Sequence, residues 1–203
     1  MFDLYTFIRC VAKPIVKVIF PKQIVEGIEN IPEDKGFILC CNHTHFMDVA
    51  FLIVNIKRKI NFMAKKELFK NKLIGKFLSL MGAFPVDRGA GKGVPAIKIA
   101  EDIFKNGEIM GIFPEGTRSK DGIPKKAKSG VAIIAYETKA PILPISIYYE
   151  GKLKLFKKVT IRIGKIINPE ELNMQSIERQ ELRRSSAYIM DKITKQWEAG
   201  HCR

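Results

Sequence analysis

The sequence predicts a single α/β domain: a central, largely parallel sheet flanked by helices and preceded by a short amphipathic helical segment. Three observations carry this prediction. Short, continuous apolar runs alternate along the chain with stretches of helical periodicity, the pattern that places crossover helices between parallel strands. The chain has 203 residues, 46% hydrophobic and 28% charged, which suits one packed core and excludes disorder and low-complexity architectures. No apolar run approaches the roughly 20 residues that a membrane-spanning helix needs, and no internal repeat or linker divides the chain.

The elements follow in order. At about 100° per residue, Leu4, Phe7, Ile8, Val11, Ile15, Val18 and Ile19 fall on one side of a helix while Arg9, Lys13 and Lys17 fall on the other. Pro14 is expected to kink this segment or divide it into two short helices, and Pro21 ends it. Two roles are open for residues 1–21: a surface helix packed on the core, or a segment docked in a membrane interface. Residues 22–203 form the domain proper. Phe37 to Cys41 reads as a buried strand, 47–56 as a helix and Ile60 to Ala64 as a strand. Lys66 to Leu80 reads as one helix with Leu68, Phe69, Leu73, Phe77 and Leu80 along its apolar side. Val94 to Lys105 is helical with Gly107 as its C-terminal cap, and Ile109 to Phe113 is a strand. Lys128 to Glu137 follows as a helix, Ile142 to Tyr149 and Val159 to Ile163 as strands, and Ile177 to Trp197 as the closing helix.

Charge narrows the partners. With 35 basic and 21 acidic residues the chain carries a net charge of +14, which favours phosphate groups, anionic lipid surfaces, acidic proteins or nucleic acid. A basic nucleic-acid-binding protein is the rival reading from another class, but the basic residues are dispersed, no nucleic-acid module is recognisable and the aromatics fall on apolar faces. The four cysteines, Cys10, Cys40, Cys41 and Cys202, match neither a zinc ligand set nor a disulfide framework, so reduced, cytosolic thiols are expected. Charges interrupt the N-terminal stretch and no small-residue cleavage site follows, which argues against a signal peptide.

Chemistry concentrates at two predicted strand exits, where open α/β sheets place their sites. After the first buried strand come Asn42-His43-Thr44-His45-Phe46-Met47-Asp48. If strand turns into helix between them, Asp48 can accept a hydrogen bond from one ring nitrogen of His43 and leave the other as a general base for an alcohol. His43, His45 and Asp48 also invite a metal reading, weakened by the total of three histidines with the third, His201, near the C-terminus. Cys41 adjoins the motif, but a thiol in a buried strand is usually inert. The second exit, Phe113-Pro114-Glu115-Gly116-Thr117-Arg118-Ser119, presents a carboxylate, a flexible glycine, a hydroxyl and a guanidinium whose planar fork matches phosphate oxygens. Gly82 to Arg88 offers a second arginine in a similar setting, and Lys125, Lys126 and Lys128 follow soon after, so an anion pocket is expected.

Together these segments, with Val25 to Pro32 and Pro141 to Ile145, resemble the glycerolipid acyltransferase family and within it the lysophosphatidic acid acyltransferases. The likeness covers nearly the whole chain in the family's order and spacing, with one departure: His45 stands where the family often has serine. It implies transfer of a fatty acyl group from a thioester, on coenzyme A or acyl carrier protein, to the free sn-2 hydroxyl of 1-acylglycerol-3-phosphate, with glycerol 3-phosphate or another lysophospholipid as the alternative acceptor. His43 would take the hydroxyl proton, and Asp48 would stabilise the imidazolium. Arg88 and Arg118 would hold the acceptor phosphate, with Glu115, Gly116, Thr117 and Lys128 around the substrate. Glu115 is expected to orient Arg118 or accept from a glycerol hydroxyl, and amides around Gly116 to serve as oxyanion donors. The resemblance implies no metal and no organic cofactor, no nucleic-acid partner, and an enzyme attached peripherally to an anionic membrane surface at its cytoplasmic face.

Overall fold

The computed structural model describes residues 4–86 and 94–201. Thirteen named helices and strands lie within them: α1 (Leu4–Ile19), β1 (Gln23–Glu26), β2 (Phe37–Cys41), α2 (Met47–Asn55), β3 (Ile60–Lys65), α3 (Lys72–Leu80), β4 (Ala83–Val86), α4 (Val94–Lys105), β5 (Ile109–Ile112), α5 (Gly130–Thr138), β6 (Ile142–Tyr148), β7 (Val159–Ile163) and α6 (Arg179–Glu198). The strands form one seven-stranded sheet in the order β1-β7-β6-β2-β5-β3-β4. Every neighbouring pair is parallel except β6 and β7. The predicted α/β architecture is therefore the one observed, although β1 was not anticipated: it has four residues, two of them polar, and none fully buried. Pro85 in β4 is tolerated because that strand lies at the sheet edge and the proline is exposed.

β2 sits at the centre because all five of its residues are apolar and buried. Its alternation splits the core in two. Phe37, Leu39 and Cys41 pack with α1 and α2 on one face of the sheet, whereas Ile38 and Cys40 pack with α4, α5 and α6 on the other. Burial pushes both thiols upward, as the sequence reading of inert cysteines requires.

Two helical expectations need correction. The Lys66–Leu80 segment is not one helix: Lys66–Phe69 forms a 3₁₀ turn, and α3 begins after Asn71, whose side chain caps the amides of Leu73 and Ile74 at 3.0 and 3.2 Å. Its apolar residues also do not face the core, for Leu68, Leu73, Ile74 and Phe77 are exposed, Leu73 to 82%. Conversely, α1 runs unbroken through Pro14. The carbonyl that Pro14 cannot pair, that of Cys10, belongs to an exposed residue, so water can satisfy it.

α1 packs on the core by one of its faces. Tyr5 and Val16 are buried with Ala12 and Ile19 beside them, and the Tyr5 hydroxyl accepts the Ile60 N–H at 3.2 Å. The stripe of Leu4, Phe7, Val11, Ile15 and Val18 is left exposed. α1 thus has two apolar stripes and commits one of them to the core.

Gly82, at the turn from α3 into β4, fixes the β3–β4 register through its carbonyl, which accepts the Phe62 N–H at 2.9 Å. Its φ of +78° lies in the left-handed region, and an added Cβ would stand 2.4 Å from the Ile60 carbonyl oxygen. Gly82→Ala should therefore cost about 2 kcal/mol or more in chemical denaturation. Gly130→Ala, where a Cβ meets nothing within 4 Å, should cost nothing measurable.

Candidate active site

The parallel pairing of β2 with β5 brings their C-terminal exits together. Beyond Cys41, the side chain of Asn42 continues the sheet: its Oδ1 accepts the Ile147 N–H at 2.8 Å and its Nδ2 donates to the Ile147 carbonyl at 3.0 Å, fully buried. A primary amide can imitate one rung of backbone pairing in this way, because it carries one acceptor and one donor side by side. His43 begins where that rung ends.

The backbone of His43 is held on both sides. Its N–H donates to Glu115 Oε1 at 2.7 Å, and its carbonyl accepts the Ser119 N–H at 2.8 Å. The imidazole lies on the Phe113 ring, centroids 4.0 Å apart and planes within 20°, and Phe113 stacks in turn on Phe62. Nδ1 stands 3.0 Å from Asp48 Oδ2. The opposite ring nitrogen, Nε2, makes no hydrogen bond among the described residues, and the side chain is 18% exposed.

Asp48 occupies the first turn of α2 and is wholly buried. Besides the imidazole, its Oδ2 accepts the amides of Thr44 and His45 at 2.7 and 2.8 Å. Three groups thus converge on one oxygen in the first turn of α2. Its Oδ1 is buried without a hydrogen-bond partner among the described residues. The ring of His45 takes a different course: Nδ1 accepts the Met47 N–H at 3.2 Å and the ring leans on Phe46. Desolvation lowers its pKa, Arg118 and His43 lower it further and Asp48 opposes them. The five-residue spacing thus brings His43 to Asp48, whereas His45 lends Asp48 only its backbone.

Sequence reasoning assigned Glu115 to Arg118 or the substrate. Instead, its second oxygen accepts the Lys125 N–H at 3.1 Å, so both oxygens answer backbone amides. Burial raises its pKa to about 7, against the pull of these two hydrogen bonds and helped by nearby Asp48. Gly116 has a φ of +72°, and a Cβ there would meet the Lys128 side chain at 3.0 Å. The Gly116 N–H, expected to serve an oxyanion, donates to the Phe113 carbonyl at 3.0 Å. Thr117 and Arg118 are exposed, and Arg118 makes no hydrogen bond or ion pair among the described residues. Arg88 lies outside the described residues. Tyr149 was missed altogether: its buried hydroxyl hydrogen-bonds the Thr44 hydroxyl, and burial raises its pKa. The partners are 105 residues apart in sequence, and no local pattern announces them.

The titration of Glu115 has a thermodynamic consequence. Folded, it keeps its proton up to about pH 7, against an ordinary value of 4.5. The native state therefore binds the extra proton between these values, and stability falls as pH rises through the window, by on the order of 3 kcal/mol. Denaturant midpoints from pH 4.5 to 7.5 should show this decline in the wild type and a flatter profile in Glu115→Gln. Identical slopes in the two proteins would remove Glu115 as its source.

With this geometry in place, comparison with known proteins is informative. The Acyltransferase family model matches residues 22–148. The 1-acyl-sn-glycerol-3-phosphate acyltransferase of Bacillus subtilis is 45% identical over 139 residues, covering 66% of this chain and 67% of that protein. The Streptococcus pneumoniae protein of the same name is 29% identical over 205 residues, 95% of this chain and 75% of its own. The crystal structure of the 1-acyl-sn-glycerophosphate (LPA) acyltransferase, PlsC, from Thermotoga maritima superposes with a TM-score of 0.74 at 28% identity, covering 98% of this chain and 81% of that one. The helix and strand pattern, the paired strand exits and these matches lead to one conclusion: the chain belongs to the acyltransferase family.

Proposed function

We propose that this protein is a 1-acyl-sn-glycerol-3-phosphate O-acyltransferase, which esterifies the free sn-2 hydroxyl of its acceptor to give phosphatidic acid. The observation that carries the mechanism is the 3.0 Å pair of His43 Nδ1 and Asp48 Oδ2. That bond fixes the tautomer with the proton on Nδ1 and leaves Nε2 as the base. Nε2 takes the hydroxyl proton as the oxygen attacks the thioester carbonyl carbon. The tetrahedral intermediate then collapses, the carbon–sulfur bond breaks, and the departing thiolate takes the proton from the imidazolium. Asp48 offsets the positive charge that the ring carries in between. Arg88 and Arg118 hold the acceptor phosphate, with Thr117 and Lys128 beside them, and so position the hydroxyl near Nε2. Glu115 acts on the base through the backbone of His43.

The acyl donor is a thioester of coenzyme A or acyl carrier protein. The described residues contain no helix long and apolar enough to cross a membrane, and the substrates are lipids. We infer peripheral attachment at the cytoplasmic face through residues 1–21. The support is the exposed apolar stripe of α1, with Lys13 and Lys17 exposed on the same helix and available to anionic head groups.

An acyl-transfer assay with lysophosphatidic acid, read by product mass, tests the chemistry. His43→Ala should lose at least about 10²–10⁴-fold in kcat, Asp48→Asn should also be severe, and His45→Ala should be mild. Arg118→Ala should raise the KM of the acceptor far more than that of the donor, and Arg118→Lys should rescue it only partly. A His45→Ala loss equal to that of His43→Ala would displace the base assignment.

Attachment is read by flotation with anionic liposomes. Changing Phe7, Val11 and Val18 to serine, all on the exposed stripe, should reduce flotation at least tenfold at unchanged thermal stability. Changing Arg9, Lys13 and Lys17 to glutamine should weaken it roughly a hundredfold at low salt, at about 1 kcal/mol per charge. Equal flotation of all three proteins would place the membrane contact elsewhere.

A further inference from the structure

Lys125 and Lys126 do not join the Arg118 side of the site. They face α6 across an open groove of about 580 Å³ that Arg183 and Arg184 also line. Four cations therefore converge on one concavity. Lys125, Lys126 and Arg183 make no ion pair among the described residues, while Arg184 is steadied by donating to the Asn173 carbonyl. The one carboxylate on the wall, Asp191, is engaged by Lys195 at 2.8 Å. Ser186 also lines the groove, and its hydroxyl is buried with no hydrogen-bond partner. Such a group is an acceptor and donor in waiting, since buried hydroxyls are ordinarily satisfied. Met190 and Pro124 supply apolar surface between the charges.

The groove also touches the catalytic residue by a short covalent and hydrogen-bonded route. The Lys125 amide and the His43 amide share the Glu115 carboxylate, one on each oxygen. A ligand anchored in the groove at Lys125 is thus one side chain away from the backbone of the base. The acceptor brings a single phosphate, and Arg118 with Arg88 suffices for it. Four further cations call for a second, more highly charged ligand.

We propose that this groove binds the phosphorylated nucleotide end of a coenzyme A-type acyl thioester. The assignment rests on the acyltransferase reading above. The volume lies in the range of small-molecule sites, and the clustered lysines and arginines match several phosphate groups. The apolar floor and the unpartnered hydroxyl suit the remainder of a nucleotide. A protein-borne donor would instead present its acidic surface to an exposed basic face, without needing a concavity.

The test compares three donors carrying the same acyl chain: the coenzyme A thioester, the pantetheine thioester, which has no phosphate, and the acyl carrier protein thioester. Lys126→Gln combined with Arg183→Gln, both at exposed positions, should raise the KM for the coenzyme A thioester at least tenfold. The acceptor KM, kcat and the kinetics with acyl-pantetheine should stay within twofold. Ser186→Ala should raise the same KM about threefold without loss of thermal stability. Calorimetric titration with free coenzyme A should weaken in parallel. An equal effect on acyl-pantetheine, a rise in the acceptor KM, or an effect confined to the carrier-protein donor would each overturn the assignment. If the wild type acylates lysophosphatidic acid from none of the three donors, the transferase reading fails, and the coenzyme A titration still decides the groove independently.

Discussion

The Glu115 carboxylate is the constraint around which the site is assembled. It is buried, it carries no salt bridge among the described residues, and its two oxygens accept amides from the β2 exit and from the loop that follows β5. A buried carboxylate costs folding free energy unless hydrogen bonds compensate it. The hydrogen bonds that compensate it here come from main chain, which has no rotamer freedom and so fixes position more tightly than a side-chain partner would. Ser119 completes the hold by donating to the His43 carbonyl. The imidazole proposed as the base is consequently mounted on a residue whose own peptide groups are tied down on both sides.

The second anchor, Asp48, works differently. Its Oδ2 gathers the ring of His43 with the amides of Thr44 and His45, so the chain from 43 to 48 wraps around a single oxygen. Phe113 then closes one face of the ring with a flat apolar surface. Orientation, charge compensation and partial exclusion of water thus reach the imidazole from three separate elements. This is the division of labour that the base role proposed for His43 would require.

Much of this was legible in the sequence, and what was not has physical reasons. The alternation of apolar runs with helical periods is a local signal, and it located β2, β5, β6, β7 and most helices to within a residue or two. The five-residue spacing of His43 and Asp48 is also local, and the structure brings the two together. Glu115 could be named but its partners could not, because they are main-chain amides 72 and 10 residues away in sequence. The rung that Asn42 makes with Ile147 spans 105 residues and carries no pattern at either end. Asn71 illustrates a different failure. Apolar periodicity continues across it, but its side chain binds the next turn's amides and so ends one element and starts another.

The two stripes of α1 have a further consequence. Because Tyr5, Val16 and their neighbours already secure the helix to the core, the outward stripe is not what holds it there. Residues there are at liberty to drift toward larger or smaller apolar side chains without loosening the domain. On the peripheral attachment proposed above, how long the enzyme stays on a lipid surface between turnovers and how much heat it withstands become separately adjustable traits. A lineage moving between membranes of different composition could retune the first while leaving the second alone.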